Sequence, residues 1–264
     1  MPNLKLIILI SFFLFVSLHS EAQRKNIKKP KNIIFLVGDG IGLSQISAEL
    51  VYRGGDLNRA RFKRIGFIRT QISDNFIMDS AAGSTAFSIG KKTYNGSIGL
   101  DSLKKARPTI VEIAEKHGLT TSLVVTCHAT HSNSASFIEH QPSRKMNRKI
   151  AYDFTKTDIN AVTGGGGYHF GKLSDGMNLK DTLFSNRYYV SDNTVDFLGI
   201  TASEFYELTN NFDVSSMKNG RGTYSEKASI KAIDLLSKNK KGFFLMVEGS
   251  PIDLGEDMIM KRII

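Results

Sequence analysis

Asp39 stands between two glycines at the end of the apolar run Asn32 to Val37. A carboxylate placed there can bridge two hard or borderline cations. The flanking glycines let the backbone turn sharply and let a bulky ligand approach. A helix N-cap is the other reading of Asp39. The stretch Asp79-Ser-Ala-Ala-Gly-Ser-Thr-Ala86 suits a helix that starts near Ser80. Backbone N–H groups and the positive dipole end would then face the Ser80 hydroxyl, an environment that stabilises an alkoxide and phosphoryl oxygens alike. No histidine lies nearby in sequence, so metal activation suits this serine better than a Ser-His-Asp triad. The same pattern also serves as a plain N-terminal cap. Glu248-Gly-Ser-Pro-Ile-Asp253 puts two carboxylates on one tight turn, where they either reach cations or remain solvated turn acids.

Such residues act together only if the fold gathers them. Strand and helix signals alternate along the chain, which predicts an α/β domain with a mainly parallel central sheet flanked by helices. Asn32 to Val37 reads as a strand and leads to a helix from about Leu43 to Val51. Pro108 opens a helix closed by Gly118, and Thr120 to Val125 follows as a buried strand. Ser225 reads as the N-cap of a helix over Lys227 to Ser237, with Ile230, Ile233 and Leu236 at helical spacing. Gly242 then leads into the strand Phe243 to Val247. Asp39, the segment Thr126 to Asn133 and Glu248 all follow strands, and a parallel sheet collects its ligands at the strands' carboxyl ends. The four glycines Gly164 to Gly167 lack the spacing and lysine of a P-loop and read as a flexible turn.

Composition narrows the classes. Lys5, the apolar run Leu6 to Val16 and the small residues Ser20 and Ala22 predict a signal peptide over 1–22, with one partial domain over 23–264. No later segment is apolar enough to span a membrane, and the expected location is periplasmic or secreted. Cys127 is the single cysteine, so no intrachain disulfide forms. The net charge of +10 sits largely in Arg24 to Lys31 and Lys238 to Lys241, without the interleaved aromatics that nucleic-acid recognition needs.

Val37-Gly-Asp-Gly-Ile-Gly42, the Asp79 to Ala86 stretch, Lys92-Thr-Tyr-Asn-Gly96, Thr130-His131 through His140-Gln-Pro-Ser-Arg144 and Met246-Val-Glu-Gly-Ser250 together resemble the alkaline phosphatases, in that family's order, from about Lys31 to Asp253. The resemblance implies hydrolysis of small phosphate monoesters through a phosphoserine on Ser80, with two zinc ions and one magnesium ion as cofactors. It implies that Asp39 bridges a zinc and the magnesium, that Arg144 binds two phosphate oxygens, and that Glu248 ligates magnesium. Asp253 would ligate the other zinc. His131 falls beside the magnesium site. Asn133 stands where the family has a threonine or serine ligand, and its amide oxygen can coordinate magnesium instead. A homodimer is a further implication.

The sequence also departs from the pattern. Asp257 occupies the place of a zinc-ligating histidine, and the last histidine of the chain is His169. The family's later Asp-His pair and final histidine have no counterpart in these residues. The expectation is therefore a chain incomplete at the C-terminus and weak in zinc binding, the alternative being a non-catalytic fragment that at most binds magnesium or phosphate.

Overall fold

The computed structural model describes residues 29–174, 176–192 and 199–250. The elements below lie in one compact unit that begins at Asn32. The expected signal peptide, Asp253 and Asp257 lie outside the described residues.

Six parallel strands form one sheet: β1 (Ile33–Gly38), β2 (Thr120–His128), β3 (Ala161–Gly165), β4 (Tyr189–Ser191), β5 (Phe205–Leu208) and β6 (Phe243–Gly249). Their spatial order is β1-β6-β2-β3-β5-β4. The eight helices described are α1 (Leu43–Tyr52), α2 (Ser80–Ile89), α3 (Ile110–Lys116), α4 (Ser132–Ile138), α5 (Asn147–Phe154), α6 (Gly167–Phe170), α7 (Leu179–Ser185) and α8 (Tyr224–Leu236). Among the described residues, no helix is long and apolar enough to cross a membrane.

The sheet is covered on both faces, as a parallel sheet requires. Along β2, Leu123, Val125 and Cys127 face one core with Ala81, Ala135 and Phe154, while Val124 faces the other with Ala228, Ala232 and Leu236 of α8. That alternation is the two-residue period of a strand serving two apolar layers. Strand β6 is buried at every residue between β1 and β2. Its continuous run Phe243 to Val247 therefore shows no polar alternation.

Register brings the predicted site residues together. Val37 pairs with Glu248, Gly38 with Gly249, and Val125 with Glu248. The Asp39 N–H donates to the Gly249 carbonyl at 3.3 Å. Asp39 and Glu248 thus hang from adjacent strands at the carboxyl edge.

Three local expectations differ from the structure. The N-cap before α3 is Thr109, which accepts from the Glu112 N–H while the Glu112 side chain accepts from the Thr109 N–H; Pro108 precedes this capping box. Helix α8 begins at Tyr224, so Ser225 lies in its first turn instead of capping it. Its buried stripe uses Ala228, Ala232 and Leu235, and Ile230 is 54% exposed, because the small alanines let the helix approach the sheet closely. The glycine run is not a flexible turn. Gly164 and Gly165 close β3, all four glycines are buried, and a Cβ on Gly165 would lie 1.8 Å from the Phe212 carbonyl oxygen.

Candidate active site

Ser80 is the first residue of α2, and Asp79 caps that helix by accepting from the Ala82 N–H at 2.9 Å. The stretch is helical because a good N-cap precedes a run of small residues. Those residues also let α2 lie close against α4, where Ser84 Oγ is 3.0 Å and Thr85 Oγ1 3.1 Å from Ser136 Oγ. This packing fixes the Ser80 hydroxyl, which donates to Asp39 Oδ1 at 3.4 Å.

Asn133, in the first turn of α4, lies between two carboxylates. Its Nδ2 donates to Asp39 Oδ2 at 2.8 Å and to Glu248 Oε1 at 2.7 Å. The sequence suggested that the amide oxygen would face this site; the amide nitrogen does so, because only a donor can satisfy two acceptors. His131 Nδ1 lies 3.9 Å from Glu248 Oε1 and is buried without a hydrogen-bond partner. Burial, with His128 and Arg144 close by, holds the imidazole pKa down at about 3, so the ring is neutral.

Glu248 is buried, and burial pushes its carboxyl up to about 7 against the opposing pull of hydrogen bonds from Ser250 and Asn133. Ser250 Oγ donates to Glu248 Oε1, and the Cys127 thiol donates to Oε2 at 3.6 Å. Burial raises the thiol pKa well above its ordinary value, so Cys127 stays protonated and can donate. Ligand atoms of Cys127, His131 and Glu248 lie within 4.8 Å of one another.

Arg144 reaches the same edge from the loop after α4. Its backbone N–H donates to the Gly96 carbonyl at 2.8 Å, Nη1 donates to Asp79 Oδ2 at 3.4 Å, and Nη2 lies 3.3 Å from His131 Nε2. Asp79 Oδ2 also accepts from the Gly96 N–H at 3.0 Å. One carboxylate therefore caps the serine's helix and orients the arginine.

The structure thus brings together Asp39, Ser80, His131, Asn133, Arg144 and Glu248. Sequence reasoning did not give Asp79, Cys127 or Ser250 a place in this network. The signal for Asp79 was its position before Ser80, which an N-cap explained by itself. Cys127 reaches Glu248 across the pairing of β2 with β6, which no sequence spacing encodes, whereas Ser250 reaches it from two residues further along, within the Glu248-Gly-Ser250 motif.

The alkaline phosphatase family model matches residues 30–259, and the chain belongs to that family. It is 33% identical over 256 residues to alkaline phosphatase 3 of Bacillus subtilis, covering 88% of this chain and 54% of that protein. With the alkaline phosphatase of Escherichia coli it is 29% identical over 288 residues, 86% of this chain and 61% of that protein. The chain therefore spans about half the length of curated relatives it matches. Among solved structures, the alkaline phosphatase of the Antarctic bacterium TAB5 superposes with a TM-score of 0.83 at 39% identity, covering 86% of this chain and 68% of that one. A histidine-to-aspartate variant of that enzyme, solved with magnesium bound, superposes with a TM-score of 0.82.

Proposed function

We propose that the chain supplies the nucleophile, phosphate-binding and magnesium-binding parts of a phosphate monoester hydrolase that works through a phosphoserine on Ser80. One observation carries this reading: the Ser80 hydroxyl, the Asp39 and Glu248 carboxylates and the Arg144 guanidinium converge on one sheet edge from four separate segments.

The donor set suits magnesium. Asp39 and Glu248 offer hard carboxylate oxygens bracketing Asn133, and the orphaned His131 Nδ1 faces the same carboxylate. Among the described residues, zinc finds oxygens only beside the nucleophile, from Asp39 and Ser80, while the sulfur and nitrogen ligand atoms of Cys127 and His131 gather around Glu248. Asp253, the further zinc ligand inferred from sequence, lies outside the described residues. When bound, such metals lower the pKa of a coordinated hydroxyl and neutralise charge on phosphoryl and leaving-group oxygens.

The chain's own groups have definable tasks. Ser80 Oγ, positioned by its hydrogen bond to Asp39 Oδ1, attacks phosphorus as the ester P–O bond breaks. The serine proton is lost to solvent, the departing alkoxide takes one up to leave as the alcohol, and water then cleaves the phosphoserine to release phosphate. Arg144 presents a planar fork to two equatorial oxygens of the transferring group, which carry charge in a loose transition state. Asp79 keeps that fork from swinging away. The α2 N-terminus adds a partial positive charge beside the developing oxyanion. Export through residues 1–22 and pairing into a homodimer belong to the same proposal.

The test is p-nitrophenyl phosphate turnover by the purified chain with magnesium and zinc, alongside labelling with radioactive phosphate. Native chain should take up acid-stable label on Ser80. Ser80→Ala should lose both label and turnover while binding magnesium as before. Label or turnover that survives Ser80→Ala sinks the nucleophile assignment.

A further inference from the structure

The glycine run Gly164 to Gly167 takes no part in the phosphate chemistry, yet it builds a second structure on the same sheet edge. Strands β2, β3 and β5 are parallel neighbours, so the segments that follow them emerge side by side at the carboxyl ends. His128 ends β2, Tyr168 and His169 lie in α6 after β3, and Phe212 lies in the loop after β5. This row continues, in the order of the strands, from the ends of β1 and β6 that carry Asp39 and Glu248.

Backbone contacts fix the outer part of the row. The Gly166 N–H donates to the Phe212 carbonyl at 2.6 Å, Gly167 to that of Asn210 at 2.8 Å, and Tyr168 to that of Asn211 at 3.1 Å. Asp213 Oδ1 accepts from the His128 N–H at 2.8 Å, which ties the same loop to β2. A Cβ on Gly166 would lie 2.9 Å from the His128 Cβ, so glycine is what lets the three segments close up.

The side chains of these segments make a continuous line of rings that starts at the arginine. His131, which Arg144 touches, is edge-on to His128 at 5.3 Å between centroids. His128 meets His169 at 5.4 Å, and His169 meets Tyr168 at 5.5 Å. Tyr168 then stacks on Phe212 at 5.4 Å with 29° between the planes. The histidines are partly buried, whereas Tyr168 and Phe212 are 47% and 61% exposed. A stacked pair covers one face of each ring and leaves surface for a third flat group.

We infer that Tyr168 and Phe212 form a leaving-group subsite that favours phosphate monoesters whose alcohol carries a planar base, that is, nucleoside monophosphates. This rests on the phosphate-binding role of Arg144. The rings of His128 and His169 stand between His131 and the exposed pair, so the flat group sits well away from phosphorus, on a spacer such as a ribose. Stacking accepts any base, because every base has a π face. The subsite therefore ranks esters by the presence of a base and not by its identity.

The test reads binding instead of turnover, by titration calorimetry on the full chain carrying Ser80→Ala, with magnesium present. Adenosine 5′-monophosphate should bind about tenfold more tightly than ribose 5-phosphate, which lacks only the base. Phe212→Ala and Phe212→Leu should each bring the two esters level, and Phe212→Tyr should preserve the difference. Affinity for inorganic phosphate should stay unchanged in all three, which also reports that they fold. Equal binding of the two esters by the parent chain overturns the inference, as does a preference that survives Phe212→Ala combined with Tyr168→Ala. A Phe212 dependence seen only with phenyl phosphate overturns it too. Failure of the phosphate-binding role looks different: inorganic phosphate would not bind, or would bind alike after Arg144→Ala, and the subsite would fall with it.

Discussion

Asp79 shows how one side chain can serve two tasks that substitution separates. Asp79→Asn keeps an oxygen for the Ala82 N–H but loses the charge opposite Arg144, whereas Asp79→Ala loses both. The alanine variant should therefore lose about 1 kcal/mol of stability from the missing cap, and the asparagine variant only a fraction of that. Both should bind inorganic phosphate several-fold more weakly, because Arg144 is no longer held. Denaturant midpoints and phosphate titration calorimetry check the two effects, and equal stability losses would show that capping is not the difference. Glu207 makes a separate case. It is fully buried on β5, and burial pushes its pKa up to about 8 against the opposing pull of the Tyr224 hydroxyl. Because the folded value lies above the unfolded one, the folded state holds the extra proton between the two. Stability should therefore be greatest below about pH 4.5 as far as this group is concerned, and should fall as pH rises towards 8. Glu207→Gln should flatten that slope and be the more stable protein at pH 9, by roughly 1–3 kcal/mol. Thermal unfolding of both proteins across this range is the measurement.

At the scale of elements, alternating apolar runs and turn residues made the parallel sheet legible, and Asp39, the Thr126 to Asn133 segment and Glu248 were placed by the strand ends they follow. What could not be read was pairing. Nothing in Phe243 to Gly249 says that this last strand inserts between β1 and β2, yet that insertion sets Glu248 beside Asp39. The middle of the chain resisted for a different reason. Strands β4 and β5 have three and four residues, too short for a period to show. Gly164 to Gly167 misled because glycine signals freedom when read alone, whereas here it signals close approach. Gly165→Ala should cost about 1–3 kcal/mol, since backbone at Phe212 and Asp213 must move; guanidinium denaturation would show it, and a loss below about 0.5 kcal/mol would mean the 212–213 loop yields freely.

For the molecule as a whole, the candidate site was more legible than the fold that builds it. Six of the seven predicted site residues carry motif signals that survive in sequence, and the structure gathers those six, while Asp253 lies outside the described residues. The supporting contacts were not legible, because they cross between elements: Cys127 to Glu248, Asp79 to Arg144, Gln141 to Asp153. Each joins positions whose proximity exists only after the sheet has closed.

Strand β1 has one neighbour, β6, and Ile33, Ile34 and Leu36 along it are exposed. Among the described residues, then, the strand that delivers Asp39 is fastened along a single flank, whereas β6, which delivers Glu248, is fastened along both. Its amides should exchange with deuterium before those of β2 and β6, at an opening cost below that of global unfolding. Each such excursion would carry one carboxylate off while its counterpart stayed put, so the two halves of the acidic pair have different lifetimes in the assembled state.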